Sequence, residues 1–173
     1  MAQSDIVLRF HYSNDMNVDT RNFRVYQVIE NASERLEVYR FSHPTPGHTT
    51  PTTIYQRKNL DALVWETAGR IEWSSNAHAT IWFGVDEVPV KDLRRVKNST
   101  SQSRRFKVSG NEYKWKINEN GHDLFCVDSK DKQVAAWFGE EKLLKITPRC
   151  ANFLERIVVT CFLNLWFKQL GRW

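Results

Sequence analysis

Residues Asn152 to Leu170 read NFLERIVVTCFLNLWFKQL, and this stretch decides the fold. Wound as an α-helix it is apolar on almost every side. Its polar residues Arg156, Thr160, Asn164 and Lys168 fall four apart and make one thin stripe. A surface helix carries a single apolar stripe, whereas a helix apolar all round is buried or in a membrane. The run Ile157 to Phe167 is interrupted by Thr160 and Asn164 and falls short of the ~20 apolar residues of a membrane span. A core helix is therefore expected over about 150–170, and no transmembrane span. Pro148 breaks the preceding strand, Asn152 with Glu155 offers a capping box, and Gly171 stands where a left-handed residue ends a helix.

Upstream, the chain reads as short strands. Ile6 to Tyr12, Phe23 to Glu30 and Leu36 to Phe41 alternate apolar and polar. His43 to Pro51 holds three prolines and a glycine and reads as a loop, after which Thr53 to Lys58 resumes. Ala62 to Ser74 reads as two short strands around Ala68-Gly69, followed by Ala79 to Gly84. Arg104 to Val108, Tyr113 to Asn118, Leu124 to Asp128 and Val134 to Phe138 form a meander, and Leu143 to Thr147 is a last strand. Asn120-Gly121 between alternating runs is a strong hairpin signal. The expectation is mainly β: a closed antiparallel β-barrel of about ten to twelve strands around the C-terminal helix. Closure removes both sheet edges, and the helix fills a lumen too wide for side chains alone.

The end of this pattern has three parts. Phe106-x-Val108 with Tyr113-x-Trp115 makes a hairpin, Gln133-Val134-Ala135-Ala136-Trp137-Phe138 follows a polar turn, and a strand leads into the hydrophobic helix. From about Ile81 to Lys168 this resembles the C-terminal half of the tubby-like barrels. That superfamily includes the tubby C-terminal domain, phospholipid scramblases and LURP-one-related proteins. It looks closest to small single-domain fungal proteins of that kind that have no assigned function. The resemblance implies one tubby-like barrel domain over 1–173. By likeness to tubby it implies phosphoinositide binding through surface Lys and Arg, and by likeness to scramblases, membrane association. The chain departs from scramblases in having no Pro-rich N-terminal arm, no cysteine cluster for acylation and no extra residues beyond the helix, so their membrane anchoring is not carried over to it.

Composition sets bounds on function. The 173 residues are 41% hydrophobic and 26% charged, ordinary for a folded soluble domain. Seven Trp and ten Phe suit a thick β core, and the tryptophans read as filler, not ligand-stacking rings. Net charge is +5, which permits an anionic partner without demanding one. Cys126, Cys150 and Cys161 are odd in number, lack metal-type spacing and read as reduced core thiols. MAQSDIVLRF shows no secretory pattern, so a cytoplasmic location is expected, peripheral at a membrane if lipid is the ligand. The sequons at Asn31 and Asn98 then read as chance.

The best candidate site is a basic hairpin face. With the connection read as Ser109-Gly110-Asn111-Glu112, Val108 meets Tyr113, Lys107 meets Lys114, Phe106 meets Trp115 and Arg105 meets Lys116. Arg105, Lys107, Lys114 and Lys116 then point outward, and Arg94, Arg95 and Lys97 extend the patch. Like charges opposed in a sheet repel, so something must offset them. An anion would do so, as a phosphoinositide or acidic lipid headgroup, with nucleic acid ranked below. Nearby acids (Asp123, Asp128, Glu140, Glu141) or simple solvation are the plain structural alternative.

Other chemistry is sparse. His11, His43, His48, His78 and His122 are scattered and form no metal motif. No nucleophile motif, P-loop or dinucleotide fingerprint occurs, and Ser74-Ser75 near His78 reads as coincidence. No catalytic residue, metal or cofactor is expected. The leading expectation is a non-enzymatic intracellular module that binds acidic lipid on its basic face. The alternatives are a small-molecule binder or small enzyme with a pocket by the His43–Pro51 loop and Ser74–His78, and a protein-interaction domain. The sequence carries no reading of oligomeric state.

Overall fold

The computed structural model describes residues 3–15, 18–30, 32–33, 35–44 and 51–173. The element order is β1 (Ile6–Tyr12), β2 (Phe23–Gln27), β3 (Leu36–Ser42), β4 (Thr52–Asn59), β5 (Val64–Ser75), β6 (His78–Phe83) and β7 (Asp86–Pro89). The single-turn α1 (Val90–Leu93) follows, then β8 (Arg104–Val108), β9 (Asn111–Ile117), β10 (Leu124–Asp128), β11 (Gln133–Phe138) and β12 (Leu143–Ile146). A 3-10 turn, Pro148–Phe153, leads into α2 (Leu154–Gln169). The strands form one antiparallel sheet in the order β7-β6-β5-β4-β3-β2-β1-β12-β11-β10-β9-β8.

This sheet is not closed into a barrel, which corrects the sequence expectation. Its terminal strands are β7 and β8, and no ladder joins them among the described residues. After four residues β7 stops at Pro89, which has no N–H to give a ladder. The segment after α1 meets β8 through a single bridge, Arg95↔Arg105. Residues 96–103 (VKNSTSQS), polar after Val96, then supply no strand. Short strands, proline and charge are ordinary ways of blunting an edge.

The chain divides into two units, Arg9–Val90 and Met1–Leu8 with Lys91–Trp173. In the first, the pleat turns Phe10, Phe23, Phe41 and Tyr55 inward, where they are buried. Their rings follow one another with centroids 5.1, 4.4 and 5.2 Å apart. Ala62 to Ser74 does not break at Ala68-Gly69: β5 runs twelve residues through it. The glycine is needed for packing, not for a turn. Tyr55 Oη donates to the Trp82 carbonyl at 2.7 Å, and a Cβ on Gly69 would collide with both groups.

In the second unit, ten of the sixteen residues of α2 are buried, including Ile157, Phe162 and Trp166. The helical stretch Pro148–Gln169 is long and apolar enough to cross a membrane by length and composition. Here those side chains are packed in protein. The anticipated Asn152 cap does not form. The helix begins at Leu154 after the 3-10 turn, with no side-chain cap bond at Phe153. Pro148 favours that tighter start, and Cys150 N donates to Thr147 O. At the other end Gly171 has φ 68, Arg172 N donates to Phe167 O and Gly171 N to Lys168 O, a Schellman stop.

Candidate anion-binding face

The hairpin β8–β9 turns on two residues, Ser109 and Gly110, both with positive φ. That is the primed turn that matches strand twist, and it moves the register by two residues from the four-residue connection expected. Arg104 faces Trp115, Arg105 faces Lys114, Phe106 faces Tyr113, Lys107 faces Glu112 and Val108 faces Asn111. A shift of two leaves each side chain on its expected face. Arg105, Lys107, Lys114 and Lys116 therefore share one face, and Phe106 and Trp115 are wholly buried on the other.

The partners change, however. Lys107 now has an acid opposite it. Arg105 Nη1 pairs with Glu112 at 2.5 Å. Lys114 Nζ meets Asp131 at 2.6 Å, and Lys116 Nζ lies 3.8 Å from the same oxygen. The Lys114 hydrogen bond and charge hold Asp131 below the usual carboxylate range. Of the acids expected to neutralise the face, Asp128 is engaged elsewhere. The backbone N–H of Lys132 lowers its pKa first, and Arg149 binds it at 3.0 Å. Asp123 accepts from Gly139 N and Asn120 Nδ2, which depress it.

Sequence reasoning missed Glu112 and Asp131. Glu112 becomes visible once Ser109-Gly110 is read as a complete turn. Asp131 sits at φ 58 in the Asp128–Lys132 turn, where only the fold brings its carboxylate to Lys114.

The upstream cations separate. Arg95 and Arg105 exchange both backbone hydrogen bonds, at 2.9 and 2.8 Å, so Arg95 lies directly beside Arg105. Arg95 and Lys97 are exposed, and among the described residues no ion pair reaches them or Lys107. Arg94 folds inward. Its Nε donates to Asn164 Oδ1 at 2.9 Å, and its guanidinium lies 4.0 Å from the Phe167 ring centroid. Burial, then the charge of Arg104, pushes its pKa down to about 9. Arg94 is thus a helix clamp and not part of the exposed face. Arg105 retains a buried Nε with no hydrogen-bond partner.

The hairpin presents no free ring for base stacking. Trp115 is buried, and Tyr113 lies against Phe106 and Phe153 at 5.6 and 5.2 Å.

The alternative sites are thinner. Ser75 Oγ and His78 Nδ1 are 2.9 Å apart, but both residues are exposed on a hairpin end and the same Oγ accepts the Ala77 N–H. That is turn chemistry. His43 Nδ1 meets Thr53 Oγ1 at 2.8 Å. His48, the rest of the loop at 45–50 and the Asn31 sequon lie outside the described residues. Among the described residues no cluster of His, Cys, Asp and Glu could hold a metal. The three cysteines are free and buried, and burial raises each thiol above its ordinary pKa.

A model of a family of unknown function, DUF6593, matches residues 18–166. No curated protein and no solved structure matches the chain.

Proposed function

We propose that this chain, which belongs to the DUF6593 family of unknown function, is a non-enzymatic module that takes anionic headgroups on its β8–β9 face. One observation carries the reading: Arg95, Arg105 and Lys114 stand in a row across three backbone segments. Glu112 and Asp131 answer two of these charges, and among the described residues no ion pair reaches Arg95, Lys97 or Lys107. An acidic lipid headgroup, a phosphoinositide among them, supplies the missing negative charge in the form that Arg and Lys bind best. Each such cation near an anionic leaflet contributes about 1 kcal/mol, so a few give weak, reversible, peripheral attachment. Nucleic acid is the poorer partner because no ring on this hairpin is free to stack.

Kinship with the tubby-like proteins belongs to the same proposal. Antiparallel strands followed by a buried hydrophobic helix support it, and the open sheet counts against it.

The test is sedimentation with acidic vesicles. Binding should weaken with salt and fall strongly in Arg95→Glu plus Lys107→Glu, a pair chosen because neither side chain holds an ion pair among the described residues. The double variant Lys107→Glu plus Lys114→Glu should also fall, with loss of the Asp131 contact. Unchanged binding in both double variants would remove the idea.

A protein-interaction reading has one observation of its own. Leu60, Leu63 and Val64 are exposed together at the β4–β5 tip. Leu63 even adopts φ 57, a conformation that leucine rarely takes. Capture of a partner that is lost on Leu60→Ser plus Leu63→Ser would favour this reading over lipid.

A further inference from the structure

The strands β1, β2 and β3 border an open cleft of about 450 Å³ whose lining residues all belong to the Arg9–Val90 unit. The pleat builds it. On β2 and β3, Phe23 and Phe41 turn inward, and Arg24, Tyr26, Arg40 and Ser42 take the other side. His11 is likewise exposed next to buried Phe10. Among the described residues no carboxylate lines the cleft.

Arg24 and Arg40 are direct cross-strand partners, a like-charge pair that a sheet does not favour. Among the described residues Glu37 is the one carboxylate that pairs with them, and it is divided unequally. Arg40 takes both of its oxygens, at 2.6 and 3.1 Å, and is pinned further by lying 4.0 Å from the Trp65 ring centroid. Arg24 Nε is left at 3.8 Å, with its side chain 57% exposed. The fork of Arg24 is therefore available. Asn22 is already committed, accepting from His43 N and donating to Asp19 O.

We propose that this cleft binds the phosphate group of a small organic phosphate, with Arg24 as the principal anchor. The remaining donors are the hydroxyls of Ser13, Ser42 and Tyr26 and a ring nitrogen of His11, with Arg40 adding charge from its fixed position. Donors arriving from three adjacent strands suit a tetrahedral oxyanion with three oxygens better than a flat carboxylate with two. The His11 and Tyr26 rings, edge to face at 6.2 Å, give the organic part an aromatic wall.

Backbone amide shifts of the whole chain, titrated with inorganic phosphate and with phenyl phosphate, test this. The expected result is saturable shifts centred on His11, Arg24 and Ser42, tighter for phenyl phosphate than for inorganic phosphate and absent with acetate. Arg24→Gln should weaken binding at least tenfold, and Lys107→Glu should leave it unchanged. Shifts confined to β8–β9, an equal response to acetate, or wild-type affinity in Arg24→Gln would overturn the proposal. Because the two faces use different residues, failure here leaves the lipid reading standing, and the reverse also holds.

Discussion

Trp115 Nε1 donates to Thr160 Oγ1 at 2.9 Å, with both residues fully buried. The hydroxyl in turn donates to the Arg156 carbonyl at 2.6 Å, so one threonine ties β9 to its own helix backbone. Thr160→Val keeps the shape and removes the acceptor, leaving a buried indole N–H unpaired. We expect a loss of about 1–3 kcal/mol in urea unfolding. Thr160→Ser, which keeps the hydroxyl, should lose less. No loss in Thr160→Val would mean that the hydrogen bond contributes nothing to stability.

Gly69→Ala places a Cβ against the Trp82 carbonyl and the Tyr55 hydroxyl at once. The strand must shift, and a cost of roughly 3 kcal/mol or more is expected. Adding Tyr55→Phe removes only the hydroxyl, so the double variant should recover little. Full recovery in thermal unfolding would show that the backbone carbonyl is free to move.

His43 should give the folded state a pH dependence. Burial, and then the Arg21 charge, lowers its pKa from 6.5 against the opposing pull of Asp19. The unfolded chain therefore binds this proton at a higher pH than the folded one. Its contribution is full above about pH 6.5 and is lost as pH falls through that value towards the folded pKa. His43→Gln should flatten that part of the stability profile. An unaltered slope would assign it to another group.

Asp131→Asn should strengthen attachment to acidic vesicles, since it releases Lys114 and Lys116. Asparagine tolerates the φ of 58, so the turn should survive. At about 1 kcal/mol per freed cation, the gain should reach roughly fivefold or more at low salt and shrink as salt rises. A variant that binds no better would indicate that this face does not meet the lipid.

Much of the secondary structure was legible because local patterns produce it. The Ile6–Tyr12 alternation, the Asn120-Gly121 turn and the Gly171 stop each depend on a few neighbouring residues. Of the candidate face, its side of the sheet was readable, since a pleat has period two and a register slip of two preserves it. Its charge balance was not, because Asp131 meets Lys114 only across a turn and a neighbouring strand.

The sequence by itself determined that α2 must leave water, since its apolar perimeter is that wide, and the tertiary structure decided that it does so inside protein. Only the tertiary structure decided where its polar stripe goes. Thr160 and Asn164 belong to the one thin polar stripe of the sequence, and both are buried, bonded to Trp115 and Arg94. Those partners lie 45 and 70 residues away. Closure of the sheet was also a tertiary decision, because it depends on whether distant strand edges meet, and no local periodicity encodes that.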